Sequence, residues 1–112
     1  MSAAGEVRLW VAQRATAAIL ALCVAVHLAT IIHAVRGGLS AGEILGRTRG
    51  NVGWAAFYAV FVVAAAIHAA IGLRNVFSEW LGWRNTFARI VLAAFATVLL
   101  VTGLRAVWAV FG

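Results

Sequence analysis

The residues able to do chemistry in this chain are few. His27, His33 and His68 interrupt long apolar stretches, and His68 is followed by Gly72, Arg74 and the pair Glu79–Trp80 in the run IHAAIGLRNVFSEW. An ionisable side chain in hydrocarbon is costly, so a histidine in such a setting is by default a functional candidate. A neutral imidazole there can hydrogen-bond a neighbouring helix, relay a proton, or serve as an axial ligand to a b-type haem iron. On a helix, Gly72 lies one turn beyond His68 on the same face, removing a side chain where a flat macrocycle could lie against the backbone. Arg74 stands further toward the end of the apolar run, where it could neutralise a propionate.

The elements that must position these residues follow from composition. Of 112 residues, 65% are hydrophobic and 11% charged, and the mean hydropathy is +1.03. A soluble domain of this size needs a polar surface that this chain lacks. No Asp, Glu, Lys or Arg falls between Arg14 and Arg36, or between Arg49 and Arg74. Each gap reaches the roughly 20 residues needed to cross a hydrocarbon core about 30 Å thick. The run from Ile90 to Leu104 is shorter, and spans if Arg89 and Arg105 snorkel to opposite interfaces. The pattern predicts an all-α membrane protein, a single domain over 1–112 with three transmembrane helices near 10–35, 51–77 and 86–110. With no proline in the chain, none of the three carries an obvious kink.

A signal peptide is the competing reading of the first run. That run is too long, contains two histidines, and shows no convincing small-residue cleavage site before Arg36. The lone Cys23 lies within it and reads as a packing thiol. The net charge of +6 comes from nine basic residues, all arginine. They bracket the apolar runs as interface anchors instead of forming a patch, which argues against a nucleic-acid partner and for lipid. Arg8, Arg14, Arg74, Arg84 and Arg89 fall on one side, and Arg36, Arg47, Arg49 and Arg105 on the other. The bias favours a cytoplasmic N-terminus, with residues 78–85 on the same side and 36–50 opposite.

The connection between the first two spans has its own organisation. Ser40 and Glu43 have the spacing of a capping box, which predicts a short interfacial helix over 41–47. Gly38, Gly42, Gly46 and Gly50 recur every fourth residue, the spacing of a close-packing face. Trp80 and Trp83 sit at the expected interfacial level.

Depth decides whether two histidines can share one metal. His27 lies slightly past the middle of its run and His68 well past the middle of its own. Because consecutive spans run antiparallel, these offsets point to opposite membrane faces. At 1.5 Å per residue the imidazoles differ in depth by roughly 12 Å, whereas two axial ligands of one iron sit only about 4 Å apart, at metal–imidazole bonds of about 2 Å. Each histidine would therefore need a partner from another chain.

The set His68-Ala-Ala-Ile-Gly72-Leu-Arg74, then Glu79–Trp80 and a third apolar helix, resembles the membrane anchor (cytochrome b) subunits of succinate dehydrogenase and fumarate reductase. Val26-His27-Leu28, with His33 and Arg36–Gly37 following, resembles the single-chain, two-haem versions. The resemblance covers nearly the whole chain. It implies half of a haem-binding helical bundle in the inner (cytoplasmic) membrane, with one or two b haems shared with a second three-helix chain, paralogous or identical. His68 would be an axial ligand, His27 the ligand of a second haem, and Gly72 and Arg74 would contact the ring and its propionates. Arg14, Glu79 and Trp80 match positions near the quinone. Two departures stand out. Trp80 replaces a tyrosine and can donate but not accept a hydrogen bond, and Trp10 replaces a serine one turn before Arg14.

The chain has no dinucleotide-binding glycine pattern and no cysteine cluster for an iron–sulfur centre. Succinate or fumarate chemistry would belong to flavoprotein and iron–sulfur partner subunits. The expected role is to anchor them, carry electrons between iron–sulfur subunit and quinone, and help bind quinone. The alternatives are a haem-free structural anchor whose histidines only hydrogen-bond, and a small transporter subunit with histidine proton relays. No acidic residue inside an apolar run supports the latter.

Overall fold

The computed structural model describes residues 2–112, which form four helices: α1 (Ala3–Gly37), α2 (Ala41–Thr48), α3 (Val52–Trp80) and α4 (Thr86–Phe111). Three of them, α1, α3 and α4, are long and apolar enough to cross a membrane. The chain is an all-α membrane protein.

Two helices outrun the expected bounds. α1 starts at Ala3 instead of near residue 10, and α3 continues to Trp80 past residue 77. A charge-free run marks only the part of a helix that lies in hydrocarbon; the backbone continues beyond it until a cap or breaker intervenes. At the start of α1 the Ser2 hydroxyl accepts from the Gly5 N–H at 3.1 Å, and Glu6 sits in the first turn, where a negative charge suits the helix dipole. Asn51 caps α3 through the Trp54 N–H at 3.1 Å, and Asn85 caps α4 through the Ala88 N–H at 2.9 Å.

The long helices run up, down and up, with α3 in the middle, packed against both α1 and α4. Among the described residues the buried positions are small or short: Thr16 and Cys23 on α1, Ala64 and Ala66 on α3, Ala88 on α4, with Ile71 the one larger side chain. Small residues let helix backbones approach, and in lipid that close van der Waals packing is the main force between helices. The tightest approach is at Gly103, where an added Cβ would lie 2.5 Å from Val62 Cγ1. Large apolar side chains such as Leu22, Val52 and Ile90 point outward, as befits a surface solvated by lipid or a partner helix.

The connection from α1 to α3 docks on the end of α4. Thr48 Oγ1 donates to Val110 O at 2.8 Å and the Gly50 N–H donates to Phe111 O at 2.8 Å, satisfying last-turn carbonyls that have no partner within their own helix. The capping box at α2 is half formed. Ser40 Oγ accepts from the Glu43 N–H at 3.2 Å, but the Glu43 carboxylate takes the Ser40 hydroxyl proton, at 2.7 Å, instead of the Ser40 N–H. Gly38 makes room for that carboxylate: its φ of +120° lies outside the range of ordinary side chains, and a Cβ there would collide with Glu43. The four-residue glycine spacing does not bring helices of this chain together, since Gly42, Gly46 and Gly50 have no neighbour within 4 Å of an added Cβ.

Candidate functional site

Two stripes face each other near the N-terminal end of α1. On α1, Glu6, Trp10, Gln13, Arg14 and Ala17 follow helical spacing. On α3, His68, Ile71, Arg74, Asn75 and Glu79 do the same, running the opposite way. Between them lies a cleft of about 620 Å³, within the ordinary range of small-molecule sites, roughly 300–1,000 Å³. It gathers four of the residues expected from sequence, His68, Arg14, Arg74 and Glu79.

His68 is half-buried at the inner end of the cleft. Its Nδ1 lies 3.2 Å from Thr16 Oγ1. The Thr16 hydroxyl has one proton, and its closest acceptor is Ala12 O at 2.7 Å, with Gln13 O at 3.1 Å. With that proton on the backbone, the hydroxyl oxygen is left to accept from His68, an arrangement that favours a proton on Nδ1. In the neutral ring with Nδ1 protonated, Nε2 is the nitrogen with a free lone pair, and it has no hydrogen-bond partner among the described residues. An imidazole in that tautomer has the chemistry of a metal ligand or a base.

Charge is arranged toward the mouth. Arg74 Nη2 pairs with Glu6 Oε1 at 2.9 Å, tying α3 to α1, and Nη1 donates to Asn75 Oδ1 at 3.3 Å. The Arg14 guanidinium lies over the Trp10 ring, 4.8 Å from its centroid, a cation–π contact. Trp10 thus supports Arg14 at the place where the resemblance leads one to expect a serine. Glu79 is exposed at the rim. Gln13 Oε1 is a buried acceptor with no hydrogen-bond partner among the described residues, an arrangement that costs about 1–3 kcal/mol unless a donor reaches it.

Two expected members stand elsewhere. Gly72 does not line the cleft; it faces α1, and an added Cβ would meet Gln13 Nε2 at 3.5 Å, an ordinary contact. Trp80 is 80% exposed and also points away from the cleft. Conversely, Thr16, Gln13, Glu6 and Asn75 were not anticipated. The spacing of Glu6, Trp10, Gln13 and Ala17 was a legible signal; the pairing of Thr16 with His68 was not.

His27 belongs to a different place. Its Nδ1 lies 3.3 Å from Tyr58 Oη, and its ring packs edge-on against Tyr58 and Phe61, with centroids 5.8 and 5.7 Å away. The pairings Thr16–His68 and His27–Tyr58 fix the register of α1 on α3. From Thr16 to His27, and from Tyr58 to His68, the helix rise is roughly 15–16 Å, more than the 12 Å inferred from the middles of the apolar runs. The two imidazoles cannot meet on one iron. The Tyr58 hydroxyl, unlike that of Thr16, has no second acceptor among the described residues, so this hydrogen bond leaves the His27 tautomer open. His33 is exposed on α1, near the α2 end.

Among the described residues, no group of three or more His, Cys, Asp or Glu could hold a metal ion. The family model of the succinate dehydrogenase/fumarate reductase transmembrane subunit matches residues 1–104. Comparison with the curated proteins and with the solved structures finds no match.

Proposed function

The chain belongs to the succinate dehydrogenase/fumarate reductase transmembrane subunit family, and on that footing we propose that it anchors such a complex, binds haem b through His68, and helps hold quinone at the α1–α3 cleft. The observation that carries the haem reading is the Thr16–His68 hydrogen bond, which leaves Nε2 bare in a cleft that also gathers Arg14, Arg74 and Glu79. A porphyrin brings four nitrogens of its own and would need from this chain a single imidazole, which suits described residues that hold no cluster of metal ligands. When bound, the haem supplies a one-electron store between the iron–sulfur subunit and quinone.

The rest follows from what the side chains can do. His68 would hold the haem iron through Nε2 while Nδ1–H stays on Thr16. Any second imidazole for that haem would come from a partner three-helix chain, because His27 lies roughly 15–16 Å further along the bundle. Arg14, held over the Trp10 ring, presents positive charge to a propionate or a quinone oxygen near the mouth. Gln13 Oε1 is an acceptor suited to a quinol hydroxyl, a role the family's tyrosine cannot fill here because Trp80 replaces it and faces away. Glu79, exposed at the rim, can pass a proton between the cleft and bulk water. At its own depth His27 serves a second haem only if Nδ1 donates to Tyr58. The N-terminus and the cleft face the cytoplasm, where the iron–sulfur and flavoprotein subunits dock.

Purification of the complex from membranes tests this reading. The expected result is co-purification of flavoprotein and iron–sulfur subunits, with a b-type α band in the reduced-minus-oxidised spectrum. Those subunits without any α band would leave a haem-free anchor. An α-helical complex lacking both would remove the proposal and favour the proton-relay transporter.

A further inference from the structure

We propose that Thr16 is a positioning residue for His68, and that its hydroxyl sets the donor strength of the imidazole and thereby the potential of the haem. The inference rests on the haem reading above. Thr16 is the one buried polar side chain among the described residues, 7% exposed, and it sits on the helix opposite His68. Threonine hydroxyls inside helices commonly bond back to the carbonyl four residues earlier, and Thr16 does so at Ala12. By itself that bond would be local and inert. Here it has a directional effect: it uses the only hydroxyl proton and turns the oxygen's lone pair toward His68 Nδ1.

An imidazole whose distal N–H is bonded to an acceptor is held in one tautomer and one orientation, and is a more basic ligand. A more basic axial ligand favours ferric over ferrous iron, which lowers the potential. Because Thr16 is buried, water cannot take over if the hydroxyl is removed. Thr16→Val keeps the shape and removes the acceptor, leaving Nδ1–H unpaired. Thr16→Ser keeps the acceptor and removes only a methyl.

The test uses the purified complex with its partner subunits, comparing the unaltered protein, Thr16→Val and Thr16→Ser by potentiometric titration of the α band and by haem per complex. Loss of such a second partner typically weakens metal binding about 10–100-fold. A tenfold change in the ferric-to-ferrous preference converts to about 59 mV for a one-electron couple, so Thr16→Val is expected to move the potential upward by about that amount or more, with Thr16→Ser at the unaltered value. If Thr16→Val sheds the haem, Thr16→Ser must retain it. An unchanged potential and full haem content in Thr16→Val overturns the inference, as does equal haem loss in both variants, which would make the side chain a matter of shape. An unaltered complex with no b-type band instead overturns the haem reading itself.

Discussion

Gly103 is the position at which a single added carbon should do most to separate α3 from α4. A Cβ there would lie 2.5 Å from Val62 Cγ1, 3.0 Å from Cγ2 and 3.3 Å from Cβ. Carbon atoms rest at about 3.5–4.0 Å, so the shortest of these overlaps by roughly 1 Å. Val62 cannot turn aside, because a helical valine has one strongly preferred χ1 rotamer. The helices must move apart instead, loosening contacts along an interface made of small residues. Overpacking of this kind costs about 1–3 kcal/mol, against which Ala gains about 1 kcal/mol of helix propensity over Gly. The net expectation for Gly103→Ala is a loss of about 1 kcal/mol. Thermal unfolding of the purified complex, run on Gly103→Ala, Val62→Ala and the double variant, isolates the cause. Val62→Ala should destabilise the unaltered protein yet rescue Gly103→Ala, with a coupling of about 0.5–3 kcal/mol. If Gly103→Ala raises stability, or if Val62→Ala has the same effect in both backgrounds, the packing argument is wrong.

Gly38→Ala should cost about 1–3 kcal/mol through its left-handed backbone and its collision with Glu43; faster limited proteolysis between residues 36 and 50, at unchanged helix content by circular dichroism, is the expected readout. Gly72→Ala should leave haem content and spectrum unchanged, because the new methyl meets only Gln13 at an ordinary distance; haem loss would instead mean that the ring lies against the α3 backbone at this glycine. Ser40→Cys should react with an impermeant thiol reagent from outside intact cells and Ser78→Cys only after permeabilisation, with Cys23 silent because it is buried; the reverse pattern would invert the proposed orientation.

The membrane class and the order of the three spans were legible because an apolar run about 20 residues long has few alternatives in a bilayer. The extra turns at the start of α1 were not, because Ser2 capping and a polar first turn extend a helix where hydropathy is silent. His68, Arg14, Arg74 and Glu79 stood out by residue type, and they converge on one cleft. Residue type did not reveal which way each faces. Spacing alone offers Gly72 as space for a ring, and in the structure an added Cβ there would lie 3.5 Å from Gln13 Nε2; Trp80 lies outside the cleft that Glu79 lines. Thr16 went unnoticed because threonine in a helix is ordinary; its meaning comes from the register of α1 on α3, which one span alone does not encode. The same register enlarged the His27–His68 separation beyond what the apolar runs suggested, without altering the conclusion drawn from it.

The central claim is that His68 is an axial ligand, and haem counted per purified complex tests it most directly. Replacing His68 with Leu removes the one imidazole that lines the α1–α3 cleft among the described residues, so this variant must lose one b-type haem. His27→Leu, acting roughly 15–16 Å away, must leave that haem and its spectrum intact, whether or not it removes a second. A His68→Leu complex that assembles with its full haem content and an unshifted α band would contradict the account.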